Sequence, residues 1–211
     1  MSNDVTTWSM IHAERARSAD MLEALTPEQW ESASLCDQWS VKMVAAHMMN
    51  AGEQTGPKFI GGVVANGFNF NKMMDRQTRA SATLSSHEII RRMRARTATT
   101  NKPPAPAMAM LGEVVVHGND IRGALGIADN TSSEAKIACL DMFKGSNFPV
   151  RAKRAIAGLH LQATDADWSY GSGPDVRGTL VQLLMAVATR QGMLDSLDGD
   201  GVGLLRSRIT K

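Results

Sequence analysis

The chain has 211 residues, enough for one large domain or for a medium domain followed by a small one. Its net charge of +2 is too small to favour nucleic acid or an anionic membrane as a partner, and its 43% apolar fraction is ordinary for a globular protein. No apolar run reaches the roughly 18 residues of a membrane span, and the polar N-terminus lacks a signal peptide's apolar stretch. Two cysteines, Cys36 and Cys139, provide no disulfide framework and no paired zinc motif. We therefore expect a cytoplasmic protein with reduced thiols.

The first two predicted helices follow from the spacing of apolar residues. A helical repeat runs over residues 5–25 and predicts the first helix. The second helix, Ser40–Gln54, has Ser40 as its expected N-cap. Trp39 and Val44 stand at the positions of a hydrophobic staple, which fixes the direction of chain entry.

Two further helices are predicted before a proline-rich loop. Residues 58–80 predict a third helix, although glycines weaken its start. A fourth helix is expected to be capped by Ser85 or Ser86 and to end at Arg96. The loop 97–106 then leads into the next helix.

The helix Met108–Gly126 carries the most informative side chains of the sequence. Glu113, His117 and Asp120 are separated by four and three residues, so they lie on one face of the helix. The surrounding valines predict burial, and a buried carboxylate must be paired, hydrogen-bonded or bound to a metal. Gly126 is a natural residue to end this helix.

After Gly126 the spacing of apolar residues changes from a purely helical pattern to one that predicts both helices and strands. Helices are predicted over Ser132–Phe143 and Gly178–Arg190, and a glycine-rich turn lies within Leu194–Ile209. Alternation over Gly158–Thr164 predicts a strand, with a second short strand at Trp168–Tyr170. The sequence therefore predicts an all-α first part and a small mixed second part.

A metal site can be assembled from three of these residues. His47 in the second helix, with Glu113 and His117, would provide two imidazoles and one carboxylate, a ligand set that suits Zn²⁺ and leaves a position open. Asp120 could then orient a ligand imidazole as a hydrogen-bond acceptor. The spacing leaves the alternative open that these are satisfied core side chains, because it does not establish that the two helices meet.

Two segments resemble the hallmark helices of the mycothiol-dependent maleylpyruvate isomerase family, one of the DinB-like metal-binding bundles. They are Trp39–Glu53 (WSVKMVAAHMMNAGE) and Gly112–Gly126 (GEVVVHGNDIRGALG). The C-terminal pieces LQATDADWSYGSGPDVRGTL, ATR and LDGDGVGLLRSR resemble the family's small C-terminal domain, whereas Thr55–Pro104 matches least well. The resemblance implies a mainly α protein, with a DinB-like four-helix bundle over 1–128 and a small α/β domain over 129–211.

The resemblance also implies a ligand set and a chemistry. Carried over by motif, the metal ligands are His47, Glu113 and His117, and the cofactors are a divalent metal, most simply Zn²⁺, and the thiol mycothiol. A metal cation lowers the pKa of a bound thiol and holds the thiolate. In the maleylpyruvate reaction the thiolate would add to the cis double bond, allow rotation and leave. The expected partners are this thiol and an electrophilic small molecule, for a monomer or homodimer.

Arginines are candidates for binding the anionic groups of the substrate or the thiol. Arg79 and Arg122 are the cofactor-binding candidates, whereas Arg190 and Asp120 are the candidates for catalysis; each arginine could equally be a solvated surface residue. Substrate specificity is expected to reside in residues 58–80 and 97–106. Cys36 has no base nearby in the sequence, and we expect a structural role for it.

Two other classes of function remain open. The bundle could be a non-catalytic metal- or ligand-binding module that acts as a sensor or an interaction partner. It could also be a metal-dependent hydrolase that needs no thiol, although Asp120 is its only evident general base. Thiol-dependent turnover distinguishes the enzyme from both.

Overall fold

The structure is a computed structural model that describes residues 2–148 and 150–210, with side chains from Asp4 onward. The fold is mainly helical with a small sheet near the C-terminus, which confirms the predicted fold class. The chain divides into two compact units, Met1–Asn130 and Thr131–Lys211. Within the described part of the chain, no helix has both the length and the apolar character needed to cross a membrane.

Helices are the regular elements of the first unit in the residues that the structure describes, apart from an isolated β-bridge between Ala33 and Ser40. Short turns and caps connect its helices, and Ser40, Thr55, Asn69 and Ser85 each cap the helix that follows by accepting a backbone N–H. In chain order the helices are α1 (Ser2–Glu23), α2 (Pro27–Glu31), α3 (Val41–Glu53), α4 (Gly56–Ala65), α5 (Phe70–Ser81), α6 (Ser86–Ala95) and α7 (Ala107–Leu125).

Four of these helices form the bundle. Helix α7 packs against α1 and α3, and α6 packs against the same two helices, so the four enclose one core. Ile11, Leu22, Met49, Leu111 and Ile121 in this core are at most 1% exposed. Complete burial of each such side chain contributes about 1.5–3 kcal/mol. Helix α5 lies on the outer side of the bundle against α3.

The predicted third helix, over 58–80, is two helices in the structure. Helix α4 ends at Ala65 and α5 begins at Phe70, because Gly67 and Phe68 adopt left-handed φ angles of 63° and 60°. These angles are incompatible with a continuing right-handed helix. Asn69 then starts α5 by accepting the Lys72 N–H.

The second unit combines short helices with a three-stranded sheet. Its strand order is β2-β1-β3, where β1 (His160–Ala163) pairs antiparallel with β2 (Ser169–Gly171) and parallel with β3 (Asp175–Gly178). The sequence prediction missed β3 and began the following helix too early, since Gly178 still belongs to the sheet. The helices are α8 (Ser133–Lys144), α9 (Ala152–Ala155), α10 (Leu180–Val187) and α11 (Val202–Ile209), with a 3₁₀ helix at Gln191–Ser196.

Candidate metal centre

Helices α3 and α7 bring two histidines and a glutamate together inside the first unit. The Nε2 atom of His47 lies 2.5 Å from Oε1 of Glu113, and Nε2 of His117 lies 3.6 Å from the same oxygen. The three candidate ligand atoms all lie within 4.8 Å of one another. The two predicted motif helices therefore do meet, and their three side chains converge on one point.

Local sequence explains why both helices present these side chains correctly. Ser40 caps α3 by accepting the Met43 N–H, which starts the helix two turns before His47. Helix α7 ends where Gly126 adopts a left-handed φ of 65°. Glu113 and His117 are four residues apart within α7, so both side chains lie on the same face of that helix, the face that is directed toward α3.

Each histidine has a hydrogen-bonding group at its second ring nitrogen. Nδ1 of His117 lies 2.8 Å from Oδ2 of Asp120, which is fully buried. Nδ1 of His47 lies 3.5 Å from the hydroxyl of Thr78, a fully buried residue of α5. These contacts hold both rings with Nε2 directed at Glu113, which is the orientation that metal-ligating histidines adopt.

Aromatic packing closes one side of the histidine pair. The two imidazoles meet edge to face with ring centroids 4.8 Å apart. The Trp39 ring lies 4.9 Å from the His47 ring and 6.3 Å from the His117 ring. The residue before the N-cap of α3 thus forms a wall of the site, beyond its predicted role as a staple.

The electrostatics of the site favour a positive charge. Burial by itself lowers the pKa of His117, but the negative charge of Glu113 and hydrogen bonds to Asp120 and Cys36 outweigh it and raise that pKa to about 10. In the absence of another cation, the imidazolium form of His117 is the one that compensates these carboxylates. A divalent cation would supply the same compensation.

Cys36 lies beside this cluster, although the sequence offered no base near it. Its sulfur, His117 and Asp120 form a second group of candidate ligand atoms within 4.8 Å of one another. The Leu35 N–H donates to the Asp120 carbonyl oxygen at 3.1 Å, which holds the segment against α7. A Cβ at Gly123 would lie only 2.6 Å from Leu35, so this glycine permits the close approach. The contact between Cys36 and His117 is long-range in sequence and left no local pattern.

The predicted arginines lie in three different environments. Arg79 is exposed on α5 and pairs with Asp75 at 2.8 Å, and Asp75 also hydrogen-bonds Trp39. Arg122 is 2% exposed on α7, with its guanidinium beside Gly118. Burial lowers the pKa of Arg122, although Asp129 and Glu14 oppose that shift. None of these observations places Arg79 or Arg122 in direct contact with the histidine pair.

The third arginine, Arg190, belongs to the second unit. It follows α10, and its Nη1 donates to the Ala188 carbonyl oxygen at 2.9 Å. Its backbone N–H donates to the Met185 carbonyl oxygen, which holds the turn after α10. Thr189 before it has a left-handed φ of 69°.

Comparisons with known proteins agree with this architecture. Residues 11–105 match the family model of the mycothiol maleylpyruvate isomerase N-terminal domain, a range that includes His47 and ends before Glu113. The crystal structure of the mycothiol-dependent maleylpyruvate isomerase is similar with a TM-score of 0.65, 13% identity and 92% coverage of both chains. A histidine-to-alanine variant of that enzyme is similar with a TM-score of 0.62 at the same identity and coverage. A search of curated proteins finds no significant sequence match.

Two independent comparisons agree with the family resemblance seen in the sequence. One is the sequence match over a little under half of the chain, and the other is the similarity of fold over nearly all of it. At 13% identity the structural match establishes the fold alone. The resemblance to the mycothiol-dependent maleylpyruvate isomerase family is thereby confirmed, for the N-terminal domain by sequence and for the chain by its fold.

Proposed function

We propose that this protein is a metal-dependent enzyme that uses a low-molecular-weight thiol, mycothiol, for isomerisation or S-transfer on an electrophilic small molecule. The observation that carries the proposal is the convergence of His47 and His117, through their Nε2 atoms, on one carboxylate oxygen of Glu113. Two imidazoles and one carboxylate form a ligand set that suits Zn²⁺, and three protein ligands leave one coordination position open for a further ligand. The N-terminal domain match supports mycothiol as the thiol.

The groups around the three candidate ligands also fit a divalent ion, in addition to the types of ligand present. Asp120 and Thr78 hold the two imidazoles through their Nδ1 atoms. The partly buried Glu113 lies at the Nε2 atoms of both rings. A bound divalent cation supplies the positive charge that keeps a thiol ionised at neutral pH. The side chains of this protein provide orientation of the ligands and, through Trp39, an apolar wall beside them.

The hydrolase alternative receives less support from the geometry. It requires a general base that can take a proton from water. Asp120, the sequence's candidate for that role, is fully buried and already bound to Nδ1 of His117. Its position is that of a group that orients an imidazole, so thiol chemistry remains the better-supported function.

Metal content followed by a thiol-dependent assay tests the proposal. We expect about one equivalent of zinc in the purified protein, lost in His117→Ala and retained in His87→Ala, which changes an exposed histidine of α6. The zinc-loaded protein should convert maleylpyruvate to its trans isomer only when mycothiol is present. Full zinc occupancy in His117→Ala would refute the ligand assignment. Zinc binding without thiol-dependent turnover of any unsaturated keto acid would favour the binding-module alternative.

A further inference from the structure

Helix α4 exposes its apolar side chains to solvent instead of burying them. On its inner face the ring of Phe59 lies against that of Phe70 in α5, with ring centroids 5.9 Å apart. On its outer face Ile60 and Val64, one turn apart, are each more than half exposed. None of the residues of α4 is buried. A surface helix normally directs its polar face to water, so this outer face is suited to an apolar environment.

The turn after α4 presents a phenylalanine at its tip. Phe68 is 78% exposed, although its left-handed φ of 60° is unfavourable for a bulky residue. The Gly67 N–H donates to the Val64 carbonyl oxygen at 3.0 Å. The Phe68 N–H donates to the Val63 carbonyl oxygen at 2.9 Å, which completes a Schellman motif. These hydrogen bonds hold an aromatic side chain at a strained position where it gains little packing from the chain itself.

The charges around this apolar face are mainly positive. Residues 54–80 contain four basic side chains and one acidic side chain, a local charge of +3, whereas the whole chain carries +2. Lys58 in the first turn of α4 and Lys72 in the first turn of α5 are both exposed. The one acidic side chain, Asp75, already pairs with Arg79 at 2.8 Å. The net charge of the chain therefore does not describe this segment, which an anionic surface would attract.

We propose that the outer face of α4 and the side chain of Phe68 dock on an anionic lipid surface, with Lys58 and Lys72 against the headgroups. A helix of 10 residues is too short to span a bilayer. A short apolar face flanked by lysines can instead lie at the boundary between headgroups and acyl chains. Its apolar side chains then leave water, and each lysine adds electrostatic attraction to anionic lipids.

A second copy of the chain fits this face less well. In a symmetric dimer both subunits present the same surface, so each lysine would approach a positively charged face. Residues 54–74 contain no acidic side chain that could pair with these lysines. The exposed apolar area is on the order of 500 Å², less than the roughly 800 Å² that each partner buries in a standard interface. The side chains that contribute it are Ile60, Val64, Phe68 and Phe70.

Sedimentation of the purified protein with phospholipid vesicles tests this inference. We expect binding to vesicles made of equal parts phosphatidylglycerol and phosphatidylcholine, and at least about tenfold weaker binding to phosphatidylcholine alone. Phe68→Gly should weaken binding to the anionic vesicles about tenfold, because the inserted ring is lost. Glycine adopts a left-handed φ without strain, so this variant should fold as well as the wild type. Phe148→Gly is the matched control, because Phe148 is 75% exposed and lies outside the segment.

The lysines are tested separately from the apolar face. The double variant Lys58→Gln with Lys72→Gln should bind the anionic vesicles at least about tenfold more weakly. An unchanged affinity in this double variant would overturn the proposal, as would equal binding to the two kinds of vesicle. The measurement needs neither zinc nor thiol, so its outcome is separate from the test of the proposed function.

Three further outcomes would contradict the lipid assignment. The first is the absence of binding to anionic vesicles, and the second is undiminished binding by Phe68→Gly or an equal loss in Phe148→Gly. The third is self-association in analytical ultracentrifugation that Phe68→Gly abolishes, without any vesicle binding. That result would identify a second copy of the chain as the occupant of the face.

Discussion

Zinc binding to the metal-free protein is expected to release about one proton at pH 7.5. The pKa of His117 is raised to about 10 in the metal-free protein, so its imidazole is protonated at that pH and must lose the proton to become a ligand. A histidine with the ordinary pKa would release only about 0.1 proton at the same pH. Apparent zinc affinity should accordingly rise about tenfold for each pH unit between 7 and 9.

Isothermal titration calorimetry in buffers with different ionisation enthalpies measures this proton release directly. The slope of the observed enthalpy against the buffer enthalpy gives the number of protons transferred for each zinc bound. Asp120→Asn is the informative variant, because it removes the negative charge that helps to raise the pKa of His117 and leaves a neutral amide oxygen as the acceptor. We expect its proton release at pH 7.5 to be smaller than that of wild type. Stoichiometric zinc binding with a release near 0.1 proton would refute the electrostatic reasoning.

The same pKa shift has a consequence for stability in the absence of metal. The folded pKa of His117 exceeds the unfolded value of 6.5, so the folded state binds the proton more tightly than the unfolded state. The resulting stabilisation is fully present below pH 6.5 and is lost as the pH rises through about 10, an effect of a few kcal/mol. Thermal unfolding of the metal-free protein between pH 6.5 and 10 should therefore show a falling midpoint, and a rising midpoint would contradict the assignment.

Three further variants or reagents test individual contacts. Thr78→Val should lower zinc affinity by up to about tenfold in a chelator competition, because Nδ1 of His47 loses its partner; an unchanged affinity would mean that this contact is unimportant. Iodoacetamide should modify the partly exposed Cys36 before the buried Cys139, and the adduct beside His117 should reduce zinc occupancy; peptide mass spectrometry with metal analysis decides this. Ser40→Ala should destabilise the protein to urea by about 1 kcal/mol with zinc stoichiometry retained, and loss of zinc would show that the cap also positions the site.

The sequence was informative where the decisive geometry is local. The separation of Glu113, His117 and Asp120 along one helix fixes which side chains share a face, so their mutual arrangement could be predicted from helix geometry. The N-cap at Ser40 was equally visible, because the capping interaction spans only three residues. That α3 and α7 pack together could be expected only from the family resemblance, since periodicity identifies a buried face without identifying its partner.

What the sequence did not reveal depends on contacts between distant elements. Thr78 reaches His47 from α5, which the prediction had merged with α4 into one helix. Cys36 approaches His117 through a loop whose position depends on the packing of Leu35 against Gly123. Arg15 of α1 donates to the carbonyl oxygens of Arg96 and Thr99, contacts between distant parts of the chain that leave no local pattern.

The charges around His117 give an independent reason to expect a dication. Glu113 and Asp120 place two carboxylates next to one imidazole, and both contribute to the raised pKa of His117. A divalent cation bound with neutral His117 would compensate both, and the hydrogen bond of Asp120 to Nδ1 would remain in place. Such an ion would also use the approach of His47 and His117 to the same oxygen of Glu113, which an ion pair between His117 and Asp120 alone does not require.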